Sequence, residues 1–311
     1  MPPTVVRMFG HTKRVLLPSI VLLTAACASP HPTLLPADVR SMAQGADGAA
    51  VLRLAETILV GRCMRNAGFE YPLDPAEARR ELAATPPPAS LESAWQDDDE
   101  KRAAAGPTSP PPESPQPRTD LDRYVEGLDP GRVQAFTTAL YGDQTTGPWV
   151  RVEMPIGTVR QSRAGCQSDA QRRLYGDLDA YLRGRITQDN LNPIIQARVT
   201  GDAAFTAAEG RWRTCMAKEH WPVADQAELD TRVAKANENL PPEQQKERSR
   251  DAAVLSARCN RQTGLSATAR RLIPVAERRV LADLSPQLTD LSRRQQAALP
   301  YARRLLDGED A

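Results

Sequence analysis

The sequence predicts a mainly α protein: a disulfide-stapled helical bundle with one small β-hairpin and a Pro-rich disordered insertion. Three observations predict it. Apolar residues recur every three or four positions in segment after segment, the spacing of helices with one buried face. Of 311 residues, 41% are hydrophobic but only 5% aromatic, which suits an aliphatic, alanine-rich core. Five cysteines are an odd number, yet setting aside Cys27 leaves Cys63, Cys166, Cys215 and Cys259, which pair completely in an oxidising compartment.

The N-terminus justifies setting Cys27 aside. Arg7, Lys13 and Arg14 precede an apolar run from Val15 to Ala26, and no acidic residue appears before Asp38, the layout of a secretory leader. The run is far short of the roughly 20 residues that span a bilayer, so it reads as removed rather than retained. Its end, Leu23-Thr24-Ala25-Ala26-Cys27, resembles the bacterial lipobox, where the cysteine carries diacylglycerol. Ordinary cleavage after an Ala-x-Ala-like site is the alternative; the odd cysteine count favours lipidation, and two acyl chains suffice for stable anchoring. The expected organisation is a signal peptide at 1–26, a lipid-anchored tether at 27–46, and one helical domain at 47–311 with a disordered insertion at 86–118.

The mature chain of 285 residues carries a net charge of about −2, which points to no nucleic-acid partner, since that needs a concentrated basic surface. Its first helix is expected from Gly48 to Ala67, capped by Asp47, with Leu52, Ala55, Leu59 and Cys63 on one face and Gly68 as terminator. Asp74-Pro75 opens a short helix that stops near Thr85 before three prolines. Residues 86–117 hold nine prolines and the acidic run Asp97–Glu100, read as solvated charge rather than a calcium loop because no turn glycine or alternate-position ligands accompany it. Trp95 stands in this insertion as an isolated aromatic, either exposed or a contact point for a partner.

Order resumes at Asp129-Pro130, which starts a helix with Val133, Phe136 and Leu140 on one side. Val150, Val152 and Met154 alternate with Arg151 and Glu153 before Gly157, the pattern of a hairpin. Cys166, Ala170 and Leu174 share a helical face, Gly176 interrupts, and Asn192-Pro193 breaks the next segment. Asp202 starts a helix with Phe205, Ala208, Trp212, Cys215 and Met216 inward. Further helices follow over 224–237 and 243–263, and a long C-terminal stretch from Ser266 is expected to be kinked or divided by Pro274, Pro286 and Pro300.

One internal repeat is visible. Cys63-Met64, three residues, then Gly68-Phe69 has its counterpart in Cys215-Met216, three residues, then His220-Trp221, and a proline follows each. Each motif ends a helix, and each is followed at a distance by a second helical cysteine. The economical pairing is Cys63 with Cys166 and Cys215 with Cys259; the two other pairings stay open at this level. Loops of 103 and 44 residues would limit the unfolded chain by up to roughly 4.7 and 4 kcal/mol. Cys63 and Cys215 sit at helix ends, where the dipole raises a thiol pKa, so the cysteines read as structural.

The lipobox, Cys63–Pro72, Gly165-Cys166 leading to Leu174-Tyr175-Gly176, Trp212-x-x-Cys215-Met216, and Cys259 before Thr263-Gly264-Leu265 together resemble a group of uncharacterised actinobacterial secreted lipoproteins with two Cys-Met-x-x-x-Gly-Phe/Trp modules. The chain departs from that pattern in carrying His220 where the first module has Gly68. The resemblance covers most of the mature chain and implies an address more than a chemistry: similar lipoproteins are encoded near envelope ABC transporters, and some resemble self-protection lipoproteins of peptide-antibiotic producers.

Catalytic signatures are sparse. The histidines are His11 in the leader, His31 in the tether and His220 in a helix-ending motif, which suits capping or packing better than a triad. Gly-x-Ser-x-Gly, a phosphate loop and Gly-x-Gly-x-x-Gly do not occur, and no carboxylate pair stands out. Trp149, Trp212 and Trp221 read as core rather than pocket residues. No cofactor and no metal are implied. The expected function is that of a lipid-anchored extracytoplasmic interaction protein, non-enzymatic, accessory to an envelope ABC transporter, another membrane protein or a stress system. A ligand-sequestering lipoprotein, with a concave apolar pocket, is the alternative, and a cell-wall hydrolase a weaker one.

Overall fold

The computed structural model describes residues 35–83, 94–105, 118–155 and 157–308. The expected leader, Cys27 and most of the Pro-rich insertion lie outside the described residues. Helix α1 (Ala37–Gly45) comes first and corrects the tether expectation: Leu35, Val39 and Ala43, four residues apart, bury one stripe against the short helix Pro75–Ala83 and the C-terminal helix. Three apolar residues at that spacing stabilise a docked helix more than they would a solvated linker. Arg79 holds Asp38 of α1 at 2.7 Å, and Arg303 donates to the Gln44 carbonyl at 3.0 Å.

Helix α2 (Gly48–Asn66) is capped by Asp47, which accepts from the Ala49 amide, and α3 (Pro75–Ala83) by Asp74, which accepts from the Ala76 amide. The expected disorder of 86–118 is corrected for 94–105. Ala94–Gln96 forms a 3-10 turn and Glu100–Ala105 helix α4, which packs on the later helix Pro242–Thr263. Trp95 meets Phe205 edge-on at 4.9 Å, Asp98 is held by Arg270, and Glu100 by Arg258 and Arg261. The acidic run is therefore paired, because the positive face that binds it lies more than 150 residues away in sequence.

Helices α5 (Asp120–Glu126) and α6 (Pro130–Tyr141) lead to the antiparallel hairpin of β1 (Trp149–Met154) and β2 (Gly157–Ser162), paired from Trp149 with Ser162 to Met154 with Gly157. Val150 and Val152 point into the core and Arg151 and Glu153 out, as the alternation predicts. Helices α7 (Cys166–Tyr175) and α8 (Leu178–Asp189) complete the first module. The next break falls at Asn190, two residues before the expected Asn192; Pro193 lies in the first turn of α9 (Leu191–Thr200), where its missing N–H costs no helical bond.

Helices α10 (Ala203–Lys218), α11 (Gln226–Asn237) and α12 (Pro242–Thr263) build the second module. Helix α13 (Leu265–Asp307) then runs undivided through Pro274, Pro286 and Pro300. It is long because both modules use it. Leu265, Ala269, Ile273, Ala276 and Val280 enter one apolar cluster with α9–α12, whereas Leu291, Ala298, Ala302, Leu305 and Leu306 enter another with α1, α2, α7, α8 and the hairpin. Packing along a whole face outweighs the bonds that interior prolines remove.

Each module has one staple, Cys63–Cys166 with Cα atoms 5.5 Å apart and Cys215–Cys259 with 5.8 Å. The repeat is geometric as well as textual. The amides of Phe69 and Gly68 return to the carbonyls of Met64 and Arg65, and those of Trp221 and His220 to Met216 and Ala217, two Schellman caps of the same form. Gly68 has φ +82° and His220 φ +66°; among the described residues His220 is the only non-glycine at positive φ. No helix among the described residues is long and apolar enough to cross a membrane.

Candidate functional site

The inward stripe of α2 contains one carboxylate. Glu56 lies about 40° around the helix from Leu52 and about 20° from Cys63, among side chains that are otherwise apolar. Burial pushes its carboxyl above the usual carboxylate range, against the opposing pull of Gln171 and of the Arg185 charge. Gln171, itself only 5% exposed, donates from Nε2 to Glu56 Oε1 at 2.7 Å and accepts from Gln161 Nε2 at 3.3 Å. A chain of amides thus runs from β2 through α7 to α2 and fixes one oxygen of Glu56. The other accepts no hydrogen bond among the described residues and belongs to a group that lines a cleft.

That cleft has a volume of about 480 Å³, and its walls come from α2, α3, α5, α6, α7, α8, β2 and the Tyr71–Leu73 segment. Tyr71 stands at its edge with its hydroxyl pushed up to about 12, by burial first and then by Tyr141, Glu77 and Glu56. Behind Glu56, Tyr175 and Tyr181 stack 3.8 Å apart; burial raises both hydroxyls, that of Tyr181 to about 12. Burial works to lower Arg185, but its bonds to Asp189 at 2.8 and 2.9 Å, together with the charges of Asp189, Tyr181 and Glu56, more than offset this. Arg53 pairs with Glu81 across α2 and α3. Of the charged groups lining the cleft, these two pairs cancel, which leaves Glu56 and Glu77 as excess negative charge beside Leu54, Val60, Leu73 and Leu140.

Two features hold this geometry. Cys63 follows Glu56 by two helical turns, and Cys166 precedes Gln171 by five residues, so the first staple joins the same two helices that the Glu56–Gln171 bond joins. Gly184 lets α8 approach α13 closely: a Cβ there would stand 2.9 Å from Leu291 Cβ, which places Arg185 and Asp189 at the cleft. When Cys63 is set on Cys215, Glu56 falls on Ala208 and Val60 on Trp212, both fully buried. The second module fills with apolar side chains the positions at which the first carries a carboxylate and a smaller residue.

No protein-family model, curated protein or solved structure matches the chain.

The four cysteines assigned to disulfides are bonded in the sequential pairing, whereas Cys27, His11 and His31 lie outside the described residues. His220 caps α10 and takes no part in the cleft. Trp212 is core, Trp221 packs at the edge of the second cluster, and Trp149 carries Arg160 over its ring at 4.7 Å. Glu56, Gln171 and Arg185 were not singled out by sequence reasoning, although a lone carboxylate inside the stripe Leu52, Ala55, Leu59, Cys63 is a readable signal. Among the described residues no group of three or more His, Cys, Asp or Glu is arranged to hold a metal ion.

Proposed function

We propose that this protein is a lipid-anchored, extracytoplasmic binding protein that captures a compact ligand in the Glu56 cleft without turning it over. The observation that carries the reading is Glu56 itself: a carboxylate placed on the core face of α2, fixed at one oxygen and opening onto a cleft. Glu56 is part-buried and its charge is only partly compensated by Gln171 and Arg185, and a carboxylate kept in a cleft at that cost is a candidate for binding. The staple and the amide chain hold it in place before any ligand arrives, which lowers the cost of binding.

The excess negative charge and the apolar wall favour a ligand with a cationic group on an apolar body. An accessory role beside an envelope transporter gives such capture a use, since a lipid on Cys27 keeps bound ligand at the membrane where a transporter subunit takes it over. The lining is more polar than the purely apolar pocket that simple sequestration calls for, and this favours transient capture.

Thermal-shift titration at neutral pH with phenethylammonium, phenethyl alcohol and phenylacetate tests the reading, because the three share one body and differ in charge. The ammonium is expected to raise the melting temperature of the intact protein and to lose that effect in Glu56→Gln. Equal effects of all three, or an ammonium effect that survives Glu56→Gln, would overturn it.

A further inference from the structure

The chain leaves the first module at the end of α3, crosses to the second as residues 94–105, and returns to the first at α5. What these residues touch there is a face of α10, α12 and α13 with a defined chemistry. Trp95 sets its ring against Phe205 at 4.9 Å. Asp98 receives Arg270 at 2.6 Å and the Ser266 hydroxyl at 2.8 Å, and Glu100 receives Arg258 at 3.2 Å and Arg261. The backbone is read too: the Asn260 amide donates to the Asp97 carbonyl at 2.7 Å, Arg261 to the Asp98 carbonyl at 3.1 Å, and Arg270 to the Gln96 carbonyl at 2.9 Å. An aromatic anchor, two paired carboxylates and three recognised carbonyls are how a protein holds a peptide.

The second module does not need this segment for its core. Every buried member of its apolar cluster lies between Ile194 and Val280, and from residues 94–105 only Trp95 packs against that cluster, at its edge. Helix α4 has six residues, too few to hold helical form without a surface to lie on. The arginines that grip it are each about half exposed, so their pairs are screened by water and salt.

We infer that the face formed by Phe205, Arg258, Asn260, Arg261, Ser266 and Arg270 is a recognition groove for an acidic peptide segment with an aromatic anchor. Residues 94–105 are its resident occupant, and a partner protein's segment of the same chemistry displaces them. The occupant is covalently tethered at both ends, so a competitor wins only by outmatching a high local concentration.

The test uses the full chain. Trp95→Ala, Asp98→Asn and Glu100→Gln are combined to release the occupant, and binding of a fluorescein-labelled peptide of residues 94–105 is followed by anisotropy. The released chain is expected to bind the peptide at least about tenfold more tightly than the unaltered chain. Added Arg261→Ala and Arg270→Ala should abolish that binding. A folded, released chain that does not bind the peptide, or equal binding by both chains, overturns the proposal. A second measurement needs no variant: in the unaltered protein, amides of α4 should exchange with solvent at least about a hundredfold faster than those of the central turns of α12. Equal protection would show that the segment opens only with the module, and would sink the idea of an exchangeable occupant.

Discussion

Three residues show how far single positions set the behaviour of this protein. His220 holds the place that Gly68 holds in the first module and accepts a positive φ to do so. Its replacement by glycine should remove about 1 kcal/mol of strain, read as a higher denaturant midpoint, while His220→Val should lower it. Glu56 makes a prediction with a sign. Its folded pKa lies above the unfolded value near 4.5, so the native state holds the proton more tightly. Stability should fall as pH rises from about that value through the raised pKa, and Glu56→Gln should remove this decline and melt higher at neutral pH. Melting curves across the acid range measure it, and a variant with the unaltered slope would show that Glu56 is not the group responsible. Cys27→Ser should leave the membrane fraction or stay unprocessed; normal processing with full membrane retention would sink the lipid anchor. The cap at His220 was legible because the repeat supplied the register. Glu56 was not, since its role depends on Gln171 and Arg185, 115 and 129 residues further on, and spacing within one helix says nothing about them.

Among the elements, the sequence carried the helices with clean caps and the hairpin with its alternation, because those signals are local. It carried α1 and α4 poorly. Both are short, both sit in segments whose composition reads as linker, and each is ordered by surfaces outside its own segment, α1 by α3 and α13 and α4 by α12. Helix α13 shows the converse, with local signals that overstate a break: three prolines suggest an interruption, and packing against two cores overrides them. The disulfides are joints between elements, so Cys63→Ser with Cys166→Ser should uncouple α2 from α7. We expect a stability loss of up to about 4.7 kcal/mol. Binding at the Glu56 cleft should weaken by more than in Cys215→Ser with Cys259→Ser, which breaks the other staple. Equal loss of binding in the two double variants would separate the cleft from its staple.

On the scale of the molecule, two apolar clusters are strung on one helix, the second module ending at Val280 and the first taking over at Leu291. Losing Cys215–Cys259 should therefore speed amide exchange through α10 and α12 while α2 and α7 keep most of their protection. Uniform loss would mean that α13 transmits the whole transition. Docking α1 has a further effect on where the protein can work. Seven residues separate Cys27 from Leu35, a contour of about 25 Å at most, in place of roughly 70 Å for a link that ends at Asp47. On the proposed lipid anchor at Cys27, a link of that length would keep the first module within one small-protein diameter of the bilayer and leave little freedom to sample distant targets. On the proposed capture role, a membrane neighbour served by the Glu56 cleft would have to present its receiving surface low, close to the headgroups. Inserting about twenty Gly and Ser residues after Pro32 should leave binding in solution unchanged and weaken function in cells, because the bound ligand would then be offered at the wrong height.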